Sequence, residues 1–177
     1  MSGGRRGQAG GLPRTVEQFL ACAYAMEVEA CERYTELSAL MSTHHNREVS
    51  ELFARLARIE GKHRDQILAR MESTSPPDVD VFRWETPEGP ETTDYGELHY
   101  LMQPWHALKL AEHNERRAVE FFERFAAARV PAAVREAALE MAEEEREHVR
   151  LIGEWLARVP PPEAGWDEDP DPPVVAD

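Results

Sequence analysis

Four stretches of this chain place apolar residues at alternating steps of three and four, and each is interrupted near its middle by glutamate. Such steps hold one stripe of a helix on one side, where it can meet partner helices. The first stripe is Leu20, Ala23, Glu27, Ala30, Tyr34, Leu37, Met41, and the second Val49, Phe53, Leu56, Glu60, His63, Ile67. The third is Leu108, Ala111, Glu115, Ala118, Phe122, Phe125, and the fourth Val134, Ala138, Met141, Glu145, His148, Ile152, Trp155. The chain is therefore expected to be all-α, a four-helix bundle with acids and imidazoles meeting at one depth.

Local signals set the limits of these helices. Thr15-Val-Glu-Gln18 reads as a capping box that opens a helix running to about Met41, and Asn46 can cap a second from Arg47 to about Met71. Pro104 and Pro131 suit the first turns of the third and fourth helices, which end near Ala128 and before Pro160. A short loop makes helices one and two antiparallel neighbours, and likewise three and four. Residues 72–103, rich in Pro and Gly, then form a long crossover between the two antiparallel pairs. The domain organisation expected is a flexible leader over 1–14, a bundle over 15–159 and an acidic, Pro-rich tail over 160–177, with Trp166 a candidate docking point in that tail.

Net charge is −14, but it is concentrated. Residues 72–103 carry eight acids and one base, and residues 160–177 carry six acids and no base. This balance argues against nucleic-acid binding or attachment to an anionic membrane. No apolar run has the length of a transmembrane helix. Cys22 and Cys31 form no CxxC pair and read as small apolar fillers, which fits a reducing, cytoplasmic setting.

Burying four carboxylates without partners costs several kcal/mol each. Divalent cations resolve this, since glutamate oxygens with imidazole nitrogens suit iron, manganese or zinc. Two divalent ions bring their charge close to that of four carboxylates. With 34 acids in the chain, seven histidines would show about one acid-x-x-His match by chance; two occur, and both lie on the inward stripes. Glu143, Glu144 and Glu147 fall off the stripe and read as a solvated face, as does Glu140.

The two halves of the chain also repeat each other. Glu27-Val-Glu-Ala-Cys-Glu-Arg-Tyr34 matches Glu115-Arg-Arg-Ala-Val-Glu-Phe-Phe122 as E-x-x-A-x-E-x-aromatic, and Glu60-Gly-Lys-His63 matches Glu145-Arg-Glu-His148. A pseudo-twofold relation between the halves would bring two half-sites together.

On these motifs, over about residues 15–157, the chain resembles the ferritin-like superfamily of di-iron carboxylate proteins, and the rubrerythrin family most closely. The resemblance implies that Glu60 and Glu145 bridge two iron ions, that Glu27 and Glu115 are terminal ligands, and that His63 and His148 serve one metal each. Rubrerythrins often carry a further Glu where this chain has Ala118. They also commonly carry a rubredoxin domain held by four cysteines, which this sequence lacks. The function implied is a non-haem di-iron oxidoreductase that reduces hydrogen peroxide, or oxidises Fe(II) with peroxide or dioxygen. A peroxidase of this kind needs an external electron donor, and a homodimer is expected. Iron storage or carriage is the alternative, and an interaction protein with structural metals a third.

Other residues carry less. Tyr34, two turns after Glu27, could tune the metals by hydrogen-bonding a ligand carboxylate, or be an ordinary core aromatic. Glu112 could gate metal access but reads as a surface acid. His99, His106 and His113 recur every seven residues and fall on the outer face. His44 and His45 read as loop residues near a helix end.

Overall fold

The computed structural model describes residues 12–71 and 99–168. Residues 1–11, 72–98 and 169–177 of the expected leader, crossover and tail lie outside the described residues. Four helices follow in order: α1 (Val16–Thr43), α2 (Arg47–Arg70), α3 (Pro104–Ala127) and α4 (Ala132–Leu156). Their type and order are those the stripes predict.

The helix ends show why they fall where they do. Thr15 takes an extended backbone and its hydroxyl accepts the Gln18 N–H at 3.1 Å. The reciprocal half of the expected capping box is displaced by one residue, because the Gln18 side chain accepts the Arg14 N–H instead. Asn46 caps α2 by accepting from the Val49 N–H. Pro104 occupies the first turn of α3, where no N–H is needed. His106 Nδ1 accepts the Gln103 N–H at 3.0 Å and so closes that turn. Pro131 stands one position earlier than the first-turn placement expected of it, as the N-cap residue of α4. Arg135 on α4 donates to the Ala126 carbonyl at the end of α3, tying that short connection shut.

α1 packs along α2 and α3 along α4, while α1 faces α4 and α2 faces α3. The side chain of Asn46, at the start of α2, donates to the carbonyl oxygens of Tyr100 and Met102, just before α3. The starts of α2 and α3 therefore lie at the same end of the bundle, and the end of α2 lies at the other, as a crossover between the pairs requires. This is the crossover geometry.

Two apolar clusters fill the interior. One takes Phe19, Leu20 and Met26 from α1, Ile67 from α2, Phe122 from α3, and Val134 and Met141 from α4. The other takes Tyr34, Leu37 and Met41 from α1, Val49, Phe53 and Leu56 from α2, Leu108 from α3 and Ile152 from α4. Phe19 meets Phe122 edge to face across the first cluster, and Tyr34 stacks on Phe53 in the second. Between the clusters, on every helix, lies the layer that holds the polar residues of the stripes.

Candidate metal centre

Glu27, Glu60, Glu115 and Glu145 are each no more than 2% exposed, so this layer is as buried as the cores on either side of it. His63 and His148 are half-buried. The helical repeat explains the arrangement. A Glu and a His three residues apart share one face, so α2 and α4 each offer one carboxylate and one imidazole. α1 and α3 offer one carboxylate each.

The six side chains converge. Ligand-capable atoms lie within 4.8 Å of one another in three overlapping groups: Glu27, His63, Glu145; Glu60, His63, His148; and Glu115, Glu145, His148. His148 Nδ1 lies 3.2 Å from Glu115 Oε2 and 3.3 Å from Glu145 Oε2. Its Nε2 lies 3.2 Å from Nε2 of His63, so the two rings touch across the bundle axis. Every residue singled out as a ligand from the sequence is in this cluster.

Without a cation the layer is electrostatically costly. Burial raises the Glu60 carboxyl to about 7, with the positive charge of His148 pulling it back and the charge of Glu145 pushing it up. Burial, and then the charge of Glu60, hold Glu115 well above the ordinary carboxylate range. Burial also lowers His63, and the neighbouring His148 charge lowers it further. His148 behaves in the opposite way. Desolvation alone would lower it, but its hydrogen bonds to Glu115 and Glu145 and their charges hold it up at about 11. The proton on His148 is thus the counter-charge of the metal-free layer.

Several polar atoms in the layer remain unsatisfied by protein. Glu60 Oε1, Glu145 Oε1 and His63 Nδ1 are buried with no hydrogen-bond partner among the described residues. Each unmade bond to such a group costs about 1–3 kcal/mol. A donor set of four carboxylates and two imidazoles converging in one buried layer fits divalent transition-metal ions.

Other residues marked from the sequence settle elsewhere. Tyr34 is buried in the apolar cluster bordering the layer. Glu112 sits between Lys109 and Arg116 as a paired surface acid. Glu140, Glu143, Glu144 and Glu147 are exposed, and all but Glu144 pair with arginines. His106 lies off the buried face of α3, as expected, but is covered: Trp166 returns over it with ring centroids 3.8 Å apart and also meets His99 edge-on. The sequence marks Trp155 only as the last member of its stripe. It lines a small void beside Glu60, Glu115 and His148, a position legible only once α2, α3 and α4 are brought together across the bundle.

The Rubrerythrin family model matches residues 18–154, which takes in all six of these side chains. The chain belongs to the rubrerythrin family, and its bundle is ferritin-like. An uncharacterized conserved protein from Magnetospirillum magnetotacticum MS-1, known from a crystal structure, is 36% identical, with a TM-score of 0.61 over 84% of this chain and 98% of that one. No curated protein matches. Among the described residues, no helix is long and apolar enough to cross a membrane.

Proposed function

We propose that the chain is a non-haem di-iron oxidoreductase that reduces hydrogen peroxide, or oxidises Fe(II) with peroxide or dioxygen. The observation that supports this most is the buried layer itself, with four carboxylates and two imidazoles within reach of one another and Glu60 Oε1, Glu145 Oε1 and His63 Nδ1 unmatched among the described residues. Glu60 and Glu145 would be shared between two metals, Glu27 with His63 and Glu115 with His148 completing the two half-sites. Two bound Fe(II) ions would supply one electron each, enough to take one hydrogen peroxide and two protons to two waters.

The protein's own part is positioning and charge. The acids compensate the ions, the flanking apolar clusters exclude water, and ligand binding displaces the protons that His148, Glu60 and Glu115 hold without metal. An external donor would return the electrons. The free thiols of Cys22 and Cys31 are compatible with a reducing, cytoplasmic setting. A homodimer is part of the same proposal. Manganese or zinc would bind the same donors but offer different redox chemistry, and zinc none.

The test is rapid mixing of anaerobic protein carrying two Fe(II) per chain with hydrogen peroxide or with dioxygen, followed by near-ultraviolet absorbance of the oxidised iron. Peroxide acting much faster, in a cycle that a reductant restarts, supports the peroxidase. Dioxygen acting as well, with iron consumed beyond two per chain, points instead to iron handling. No oxidation by either defeats both readings.

A further inference from the structure

The metal layer has a neighbour on the surface. A cleft of about 620 Å³ opens between the first half of α2, the start of α3 and the end of α4. On the inner side of Trp155 lies a second, much smaller void of about 10 Å³, about the room that one water-sized molecule needs. Leu56, Ile59, Leu151 and Ile152 form its apolar wall, and Glu60, Glu115 and His148 its floor. Trp155 is the residue that the two linings share, which sets its side chain at the boundary between them.

This boundary is held from both flanking helices. Trp155 follows His148 by two turns of α4, and Arg55 precedes Glu60 on α2. The Arg55 guanidinium lies 5.5 Å from the centre of the Trp155 ring, a cation–π contact that latches the indole from the solvent side. Arg55, Arg58 and Arg158 line the cleft against Glu48 and Glu51, and Glu51 is already paired with Arg47. The lining is therefore positive on balance. A divalent cation is repelled there, whereas a small uncharged molecule is not.

We infer that Trp155 is the gate through which a small neutral oxidant, hydrogen peroxide or dioxygen, reaches the metal layer, and that Arg55 holds this gate shut. Trp155 is a positioning and size-selecting residue, and metal ions reach the layer by another route. The inference rests on the oxidoreductase reading for the solute's identity, but the passage itself can be tested apart from that reading.

The test compares the full chain with Trp155→Ala and Ala54→Trp, the latter placing a second indole in the cleft lining. Each is loaded anaerobically with two Fe(II) per chain and mixed with hydrogen peroxide or tert-butyl hydroperoxide. Trp155→Ala should raise the rate of the bulky oxidant relative to hydrogen peroxide by about 10-fold or more, with metal stoichiometry and the rate of metal uptake unchanged. Ala54→Trp should slow both oxidants. An unchanged ratio in metal-replete Trp155→Ala overturns the gate, as does Ala54→Trp reacting at the wild-type rate. If Trp155→Ala no longer binds metal, Ala54→Trp decides.

Xenon pressurisation of Zn(II)-loaded crystals gives a readout free of redox chemistry. Xenon should appear among Leu56, Ile59, Leu151 and Ile152 in Trp155→Ala and not in the wild type. Equal occupancy in both overturns the gate. If no oxidant reacts with the wild type, the oxidoreductase reading fails while the xenon maps still judge the passage.

Discussion

The two half-sites carry the same ligand types at the same helical spacing yet behave differently. In the α3–α4 half, His148 is drawn between Glu115 and Glu145 and held protonated. In the α1–α2 half, His63 is pushed toward the neutral form and its Nδ1 has no hydrogen-bond partner among the described residues. The aromatic that follows the terminal glutamate differs as well, Tyr34 in one half and Phe122 in the other. A duplicated sequence thus gives an asymmetric metal-free site, because two imidazoles in contact cannot both be charged at low cost. One carries the proton, and the other is left ready to ligate.

The largest test of this comparison removes a ligand from each half. Glu145→Ala should abolish binding of both metals, whereas His63→Ala should leave one, as read by metal analysis of the purified chains. Two metals in Glu145→Ala would mean that Glu145 does not bridge.

Proton linkage comes next in size. In the folded, metal-free chain Glu60 titrates at about 7 rather than 4.5, so between those values the folded state binds more protons than the unfolded state. Stability must then fall as pH rises from about 4.5 to 7, by an amount on the order of a few kcal/mol. His148, raised from 6.5 to about 11, has the same sign: its contribution is complete below 6.5 and is lost as pH rises toward 11. Metal-free protein should therefore melt at a higher temperature at pH 5 than at pH 8. Metal-loaded protein should show the reverse trend, because metal displaces those protons. Parallel melts of the two forms check this.

Exchanging the unmatched aromatics sharpens the contrast between halves. Tyr34→Phe makes the halves alike, and it should shift metal affinity by roughly 10-fold or more if the phenol supports a ligand. It should leave affinity unchanged if Tyr34 is only a core ring. Metal titration in this variant and in Phe122→Tyr separates the two. The smallest effect belongs to Arg70→Ala, which breaks the exposed ion pair with Glu140 between α2 and α4. It should cost no more than about 1 kcal/mol in denaturant unfolding.

Much of the site was legible because depth on a helix is periodic. Glu27, Glu60, Glu115 and Glu145 fall on apolar stripes in the sequence, and the structure buries all four. The repeat between halves predicted that they would meet. What periodicity missed depends on elements distant in sequence. α1 is buried well beyond its stripe at Cys22, Tyr24, Ala25 and Met26, which no single-helix pattern indicates. Trp166 covers His106 from sixty residues away, and Trp155 gains its position only from the approach of α4 to α2. Both depend on contacts that leave no local signature.

The central claim is that the acidic layer between the two apolar clusters holds two metal ions. Anomalous X-ray diffraction at the iron edge, on crystals loaded with Fe(II), tests it most directly. The account predicts two peaks in this layer, with Glu60 and Glu145 reaching both, Glu27 and His63 beside one, and Glu115 and His148 beside the other. A single peak, or iron bound only at the exposed acids, would contradict it.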